Sequence, residues 1–121
     1  MGVFVIKRTS TGFKFDLKTD EGDILSTSEV YVSKSACIKG IKSVVKNAAI
    51  AKTEDHTQEN YTIEKNPKFE IYKDKGKGFR FRLKAKNGEI ITISKAYGTK
   101  KSCETGLKNV VLNAEENIIE E

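Results

Sequence analysis

From residue 79 to residue 86 the chain alternates without a break. Phe79, Phe81, Leu83 and Ala85 fall on one side, and Arg80, Arg82, Lys84 and Lys86 on the other. A two-residue period is that of a strand with one buried face. The pattern occurs earlier as Phe13, Phe15 and Leu17 against Lys14, Asp16 and Lys18. A short apolar strand precedes each stretch, Val3 to Lys7 and Phe69 to Lys73, with a turn at Gly12 or Gly76-Lys77-Gly78 between them. A second turn follows, ending in Gly22 or in Asn87-Gly88, and then a third strand, Asp23 to Thr27 or Glu89 to Ile93. Asn-Gly predicts a type I′ turn with both central residues at positive φ. Both sets of strands therefore read as antiparallel hairpins.

The period then changes to 3.6. Cys37, Ile41, Val44, Val45 and Ala48 make one helical stripe, and Cys103, Leu107, Val110, Val111 and Ala114 make another. Ser33 and Thr99 are the predicted N-caps, since a hydroxyl there can accept from a free first-turn N–H. Asn47 and Asn113 stand where a left-handed residue can end each helix. Each half is β-β-β-α.

Sliding the chain on itself by 66 residues lays 3–48 on 69–114 without a gap, and 18 of the 46 positions are identical. Chance matching gives about 6%. The chain reads as a duplication, and units this short rarely bury their apolar face alone, so the halves are expected to share one core.

The stretch from Gly78-Phe79-Arg80-Phe81-Arg82-Leu83-Lys84 through Asn87-Gly88-Glu89-Ile90-Ile91 resembles the signature of the YegP-like family, a domain of unknown function often found in tandem. The resemblance continues through Ser94 to Tyr97 and Ser102 to Leu107. In the first copy it runs through Gly12 to Lys18, Ser28 to Tyr31 and Gly40 to Val44. It implies a β3-α-β unit used twice, one sheet with both helices on one face, and the last strand of each unit exchanged between repeats. It implies no activity. The expected architecture is α+β: two β3-α-β repeats forming one antiparallel sheet in a single domain. Residues 1–66 form repeat one with an acidic connector, and 67–121 form repeat two with an acidic tail. The exchanged strand of repeat one is expected at 60–65, where Tyr61 and Ile63 alternate, and that of repeat two at 117–120.

At 121 residues and 13.5 kDa the chain suits one domain. No apolar run approaches the ~20 residues of a membrane span, and the first residues lack a signal peptide's order. Two Cys 66 residues apart form no staple pattern, which points to a reducing, cytoplasmic setting. A monomer with an internal pseudo-two-fold is the expected state.

Catalytic chemistry is sparse. The cysteines sit on the apolar stripes, where burial and not reactivity explains them. His56, in the connector beside Glu54 and Asp55, has no second His or nearby Cys, and reads as a solvated loop residue. Ser28, Ser33, Ser35 and Ser94 have no base in reach by pattern. Gly40 and Gly106, each costing about 1 kcal/mol inside a helix, suggest helix against helix. Tyr31 and Tyr97 suggest wedges between sheet and helix. The expectation is no enzyme, no metal and no cofactor.

Charge has more to say. Residues 67–114 carry net +8, residues 1–48 net +3, the connector (49–66) −2 and the tail (115–121) −4. The positive row Arg80, Arg82, Lys84 and Lys86 is expected bare on the open face, where it can follow a phosphate backbone, with Tyr72 and Phe4 adding aromatic contacts. Strands one and three carry apolar residues on both faces, and Phe4, Ile6 and Tyr72 form an expected apolar patch for a protein partner. A non-catalytic interaction module is the preferred function, with nucleic-acid binding through the basic row as the alternative. No membrane partner is expected.

Overall fold

The computed structural model describes residues 2–121. Its elements are β1 (Val3–Arg8), β2 (Phe13–Lys18), β3 (Ile24–Thr27), α1 (Lys34–Ala48), β4 (Lys52–Asp55), β5 (Lys68–Lys73), β6 (Phe79–Lys84), β7 (Ile90–Ile93), α2 (Lys100–Asn113) and β8 (Ile118–Glu120). The strands form one sheet in the order β4-β5-β6-β7-β3-β2-β1-β8. The hairpins are antiparallel, as the alternation requires.

The sheet is not antiparallel throughout. At both edges the strand that follows a helix pairs parallel with the first strand of the other repeat, β4 on β5 and β8 on β1. Neither pair is joined by a tight turn, so nothing enforces the antiparallel sense there. The last strand of repeat one is also not at 60–65. It follows α1 after only Ala49, Ile50 and Ala51, a connection of ordinary length. Tyr61 and Ile63 lie in an exposed loop.

The two repeats do not keep a single spacing. Phe4 stands opposite Leu17, and Phe69 opposite Leu83. First strands are therefore related by 65 residues, while hairpins and helices are related by 66. The extra residue lies in the β5–β6 turn (74–78), which is one longer than the β1–β2 turn (9–12). A one-residue slip exchanges the faces of a strand. Phe4 and Ile6 accordingly point with Phe69 and Ile71 into the core, and Val3 and Val5 point the other way.

Both helices cover one face. α1 packs on β2, β5, β6 and β7, and α2 on β2, β3 and β6. Each helix thus reaches across the seam between repeats, where β3 and β7 share only the pair Thr27–Ile93 and a bond from Thr92 Oγ1 to the Thr27 carbonyl (3.1 Å). Beneath them lies one continuous apolar cluster. Phe4, Phe15, Phe69 and Phe81 are all but fully buried in it, each contributing about 1.5–3 kcal/mol. Phe4 meets Phe15 edge-on at 5.6 Å, and Phe69 meets Phe81 at 6.1 Å.

Ser33 and Thr99 cap the helices by accepting from Ala36 N–H and Ser102 N–H, both at 3.1 Å. Asn47 and Asn113 do not end them in left-handed conformation: no described residue other than glycine has positive φ. Their amides instead donate back to the Ser43 and Asn109 carbonyls (2.8 and 2.7 Å). For the same reason the Asn87-Gly88 turn is not type I′. Gly88 alone has positive φ (86°), its N–H bonds to the Ala85 carbonyl, and Ala85 N–H bonds to the Glu89 carbonyl (both 2.9 Å). That is a type I turn followed by a glycine bulge. Gly40 and Gly106 face tyrosine rings and not a second helix. A Cβ on either would lie 2.7 or 2.6 Å from Cζ of Tyr31 or Tyr97. Each ring stacks on a core phenylalanine at 6.3 Å, wedged between sheet and helix.

Candidate functional site

The uncovered face of repeat two carries the densest group of ionisable side chains. β4 and β5 run parallel with Glu54 opposite Glu70, and β6 places Arg82 opposite Glu70. Both glutamates are buried. Lys68 Nζ donates to Glu54 Oε2 at 2.7 Å, and Arg82 Nε donates to Glu70 Oε1 at 2.6 Å. Lys84 Nζ lies 3.2 Å from Glu70 Oε2. His56 Nε2 is 2.6 Å from Glu54 Oε1 and 3.5 Å from Glu70 Oε2, and its ring stacks on Tyr61 at 4.5 Å. Glu64 N–H closes the outer side by donating to Glu54 Oε2 (2.7 Å). His56 is therefore a structured partner of two buried carboxylates and not a solvated loop residue.

Burial alone would raise the carboxyl pKa values. For Glu54 that effect is overcome by hydrogen bonds from Lys68, His56 and the Glu64 backbone, together with the Lys68 charge, which hold it at about 2. Glu70 is likewise lowered, burial being outweighed by Arg82 and Lys84. Lys68 is raised, chiefly by its bond to Glu54.

Ligand atoms of Glu54, His56 and Glu70 lie within 4.8 Å of one another, a spacing compatible with a metal ion. The donor set does not fit one. Lys68, Arg82 and Lys84 already hold the carboxylate oxygens, so a divalent cation would stand beside three fixed positive charges. The cluster is an ion-pair network.

This network changes the reading of the basic row. Arg82 and Lys84 are bound to Glu70, and Arg80 to Asp74 (2.7 Å) and to the Ser94 carbonyl (2.8 Å). The row is partnered and not bare, because β4 and β5 bring their own carboxylates to the same face. Lys86 leaves it altogether. The bulge at Leu83/Lys84 and the turn carry it to the helix side, where it faces α1. Tyr72 does lie on the open face, under the Arg82 guanidinium (4.4 Å to the ring centroid). Phe4 and Ile6 do not join it, and the expected apolar patch is divided between opposite faces of the sheet.

The remaining candidates are structural. Ser28 Oγ accepts from Phe15 N–H and Ser94 Oγ from Phe81 N–H, each at 2.9 Å. Both thiols are fully buried. Burial raises Cys37 and, with the nearby Glu104 and Asp55 charges, pushes Cys103 to about 11. At the pseudo-equivalent helix starts, Lys100 pairs with Asp55 and Lys34 with Glu120, so each helix is tied to the last strand of the other repeat. The Glu54–Glu70 network was invisible in the sequence because it depends on the position and parallel register of β4.

The profile of a family described as "Domain of unknown function (DUF1508)" matches residues 9–55 and again 74–121. A UPF0339 protein YegP of Yersinia pestis is 30% identical over 122 residues, covering 100% of this chain and 96% of that protein. YegP of Escherichia coli K12 is 37% identical over 117 residues, covering 93% and 89%. Among solved structures, the solution structure of E. coli yegP, a protein of unknown function, superposes with a TM-score of 0.78 at 32% identity, covering 99% of this chain and 92% of that one. A UPF0339 protein of Shewanella oneidensis gives 0.79 at 29% identity, covering 98% and 90%.

Proposed function

The chain belongs to the YegP-like family, carrying two copies of its domain of unknown function, and from that premise we propose that it is a non-catalytic binding module. It works in the cytoplasm, as a monomer with an internal pseudo-two-fold, and takes no cofactor. One observation carries the proposal: the buried groups capable of acid–base chemistry are engaged with one another. Glu54, Glu70 and Lys68 are held in the open-face network, and Asp16 by Lys7 at 3.1 Å. A general acid or base needs a free path to a substrate proton, and these groups spend theirs on neighbours. The inert thiols support the same view. No helix among the described residues is long and apolar enough to cross a membrane.

The test is a search for turnover. The purified chain is incubated with a metabolite extract and followed by mass spectrometry over time. A module enriches its ligand without consuming it. A compound consumed in many equivalents per chain, and spared when His56→Ala or Glu54→Gln replaces the natural chain, would refute the proposal.

A further inference from the structure

A groove of about 400 Å³ runs between α1 and the β6–β7 turn, lined by Lys39, Lys42 and Lys46 on one side and Lys86 and Asn87 on the other. On a helix, positions i, i+3 and i+7 share one face, so three ammonium groups line one wall. All four lysines are exposed. Among the described residues none of the four forms an ion pair. Glu89, the acid that follows the turn, bonds through its backbone N–H to Asn87 Oδ1 (3.0 Å) and pairs with none of them.

The pseudo-symmetry supplies the comparison. The same place on the other repeat sets α2 against the β2–β3 turn. There Lys39, Lys42 and Lys46 become Thr105, Lys108 and Leu112, and the turn brings Asp20 and Glu21 in place of Lys86 and Asn87. The groove collects four like charges, and the pseudo-equivalent positions mix signs. Like charges at i, i+3 and i+4 cost an isolated helix about 0.2–0.5 kcal/mol a pair. Only Lys46, in the last turn of α1, has a local reason to be basic, since it complements the helix's negative end.

Resting on the binding-module proposal, we infer that this groove is its site and that the ligand is a compact chain of phosphates. Lysine binds phosphate as a compact point charge, without the planar fork that arginine offers to carboxylates and phosphates alike, and four such charges along one groove suit an anion that carries several charges along its length. No aromatic side chain lines the groove, so it lacks the stacking surface of a single-strand binder. Its size is that of a small-ligand site.

The probe is inorganic tripolyphosphate, titrated into the full chain at low ionic strength by calorimetry and by amide NMR. One saturable site is expected, with shifts centred on residues 39–47 and 85–88 of the sequence. Lys42→Gln with Lys86→Gln weakens it about tenfold, while Lys14→Gln on the open face leaves it within about twofold. Lys42 and Lys86 are exposed and Lys14 is half-buried, with none of the three in the apolar core, so the variants should fold, and circular dichroism checks it. Absence of saturable binding overturns the inference, as does binding that survives the double substitution. A single-stranded oligonucleotide bound more tightly than tripolyphosphate, and lost in the same variant, overturns the compact ligand in favour of a strand backbone. None of these results depends on turnover, so failure here leaves the non-catalytic proposal to its own test.

Discussion

Gly106→Ala sets two known effects against each other. In an open helix alanine is favoured over glycine by about 1 kcal/mol. Here the new methyl would lie 2.6 Å from Tyr97 Cζ, closer than carbon atoms pack. The ring cannot simply turn aside, because it stacks on Phe81. Overpacking of this kind costs about 1–3 kcal/mol, so the substitution should be neutral to destabilising, by roughly 0–2 kcal/mol net. The informative quantity is the coupling to the ring. In a Tyr97→Ala background the obstruction is gone, and Gly106→Ala should stabilise by about 1 kcal/mol. The double-mutant cycle from urea unfolding, followed by circular dichroism, should then show an interaction energy of about 1–3 kcal/mol. If Gly106→Ala stabilises the natural chain, or acts equally in both backgrounds, the wedge is wrong. The same cycle applies to Gly40 and Tyr31, where the distance is 2.7 Å.

Three further outcomes follow from burial and charge. Phe4→Ala should cost about 3–5 kcal/mol, whereas Tyr72→Ala, on the open face, should cost well under half of that; comparable losses would contradict the 65-residue register. Glu54 is depressed from 4.5 to about 2 in the folded chain, so its contribution is complete above the unfolded value and fades as pH falls from about 5 towards 2. That contribution is on the order of 3 kcal/mol, and acid titration of Glu54→Gln should show a flatter decline than the natural chain. Cys37 and Cys103, buried with raised pKa values, should resist a thiol reagent at pH 8 until urea unfolds the chain; rapid labelling of the folded protein would refute their burial.

How much of this was legible without coordinates depended on the range of the interaction. Local periodicity placed the six hairpin strands, both helices and the caps at Ser33 and Thr99. Conformations that hinge on a competing hydrogen bond were missed: Asn47 and Asn113 reach back along their own helices, and Asn87 sits in a type I turn whose positive φ falls on Gly88 alone. An ungapped 66-residue alignment then hid the extra residue of the β5–β6 turn. That single residue put Phe4 and Ile6 on the wrong face, and the same 65-residue relation matches Thr53 to Ile118, which agrees with a last strand of repeat one at Lys52–Asp55 and not at 60–65. The open-face network needed three strands in correct register before Glu54 could meet Glu70. On α1 the lysine spacing was visible, but the arrival of Lys86 opposite it was not, because a bulge and a turn decide it.

The ion-pair network, the groove and the shared core all require the last strand of each repeat to pair within the same chain on the first strand of the other. Val5→Cys with Ile119→Cys tests this directly, since the two positions are opposite one another in the parallel β1–β8 pair, and neighbouring strands lie about 4.7–4.9 Å apart, within the Cα separations that a disulfide spans. Oxidation should give an intramolecular bond in a monomer on a non-reducing gel, and closing a loop of that length should stabilise the chain by about 4–5 kcal/mol. Free thiols that persist under oxidation, or a covalent dimer in place of the closed monomer, would contradict the exchange.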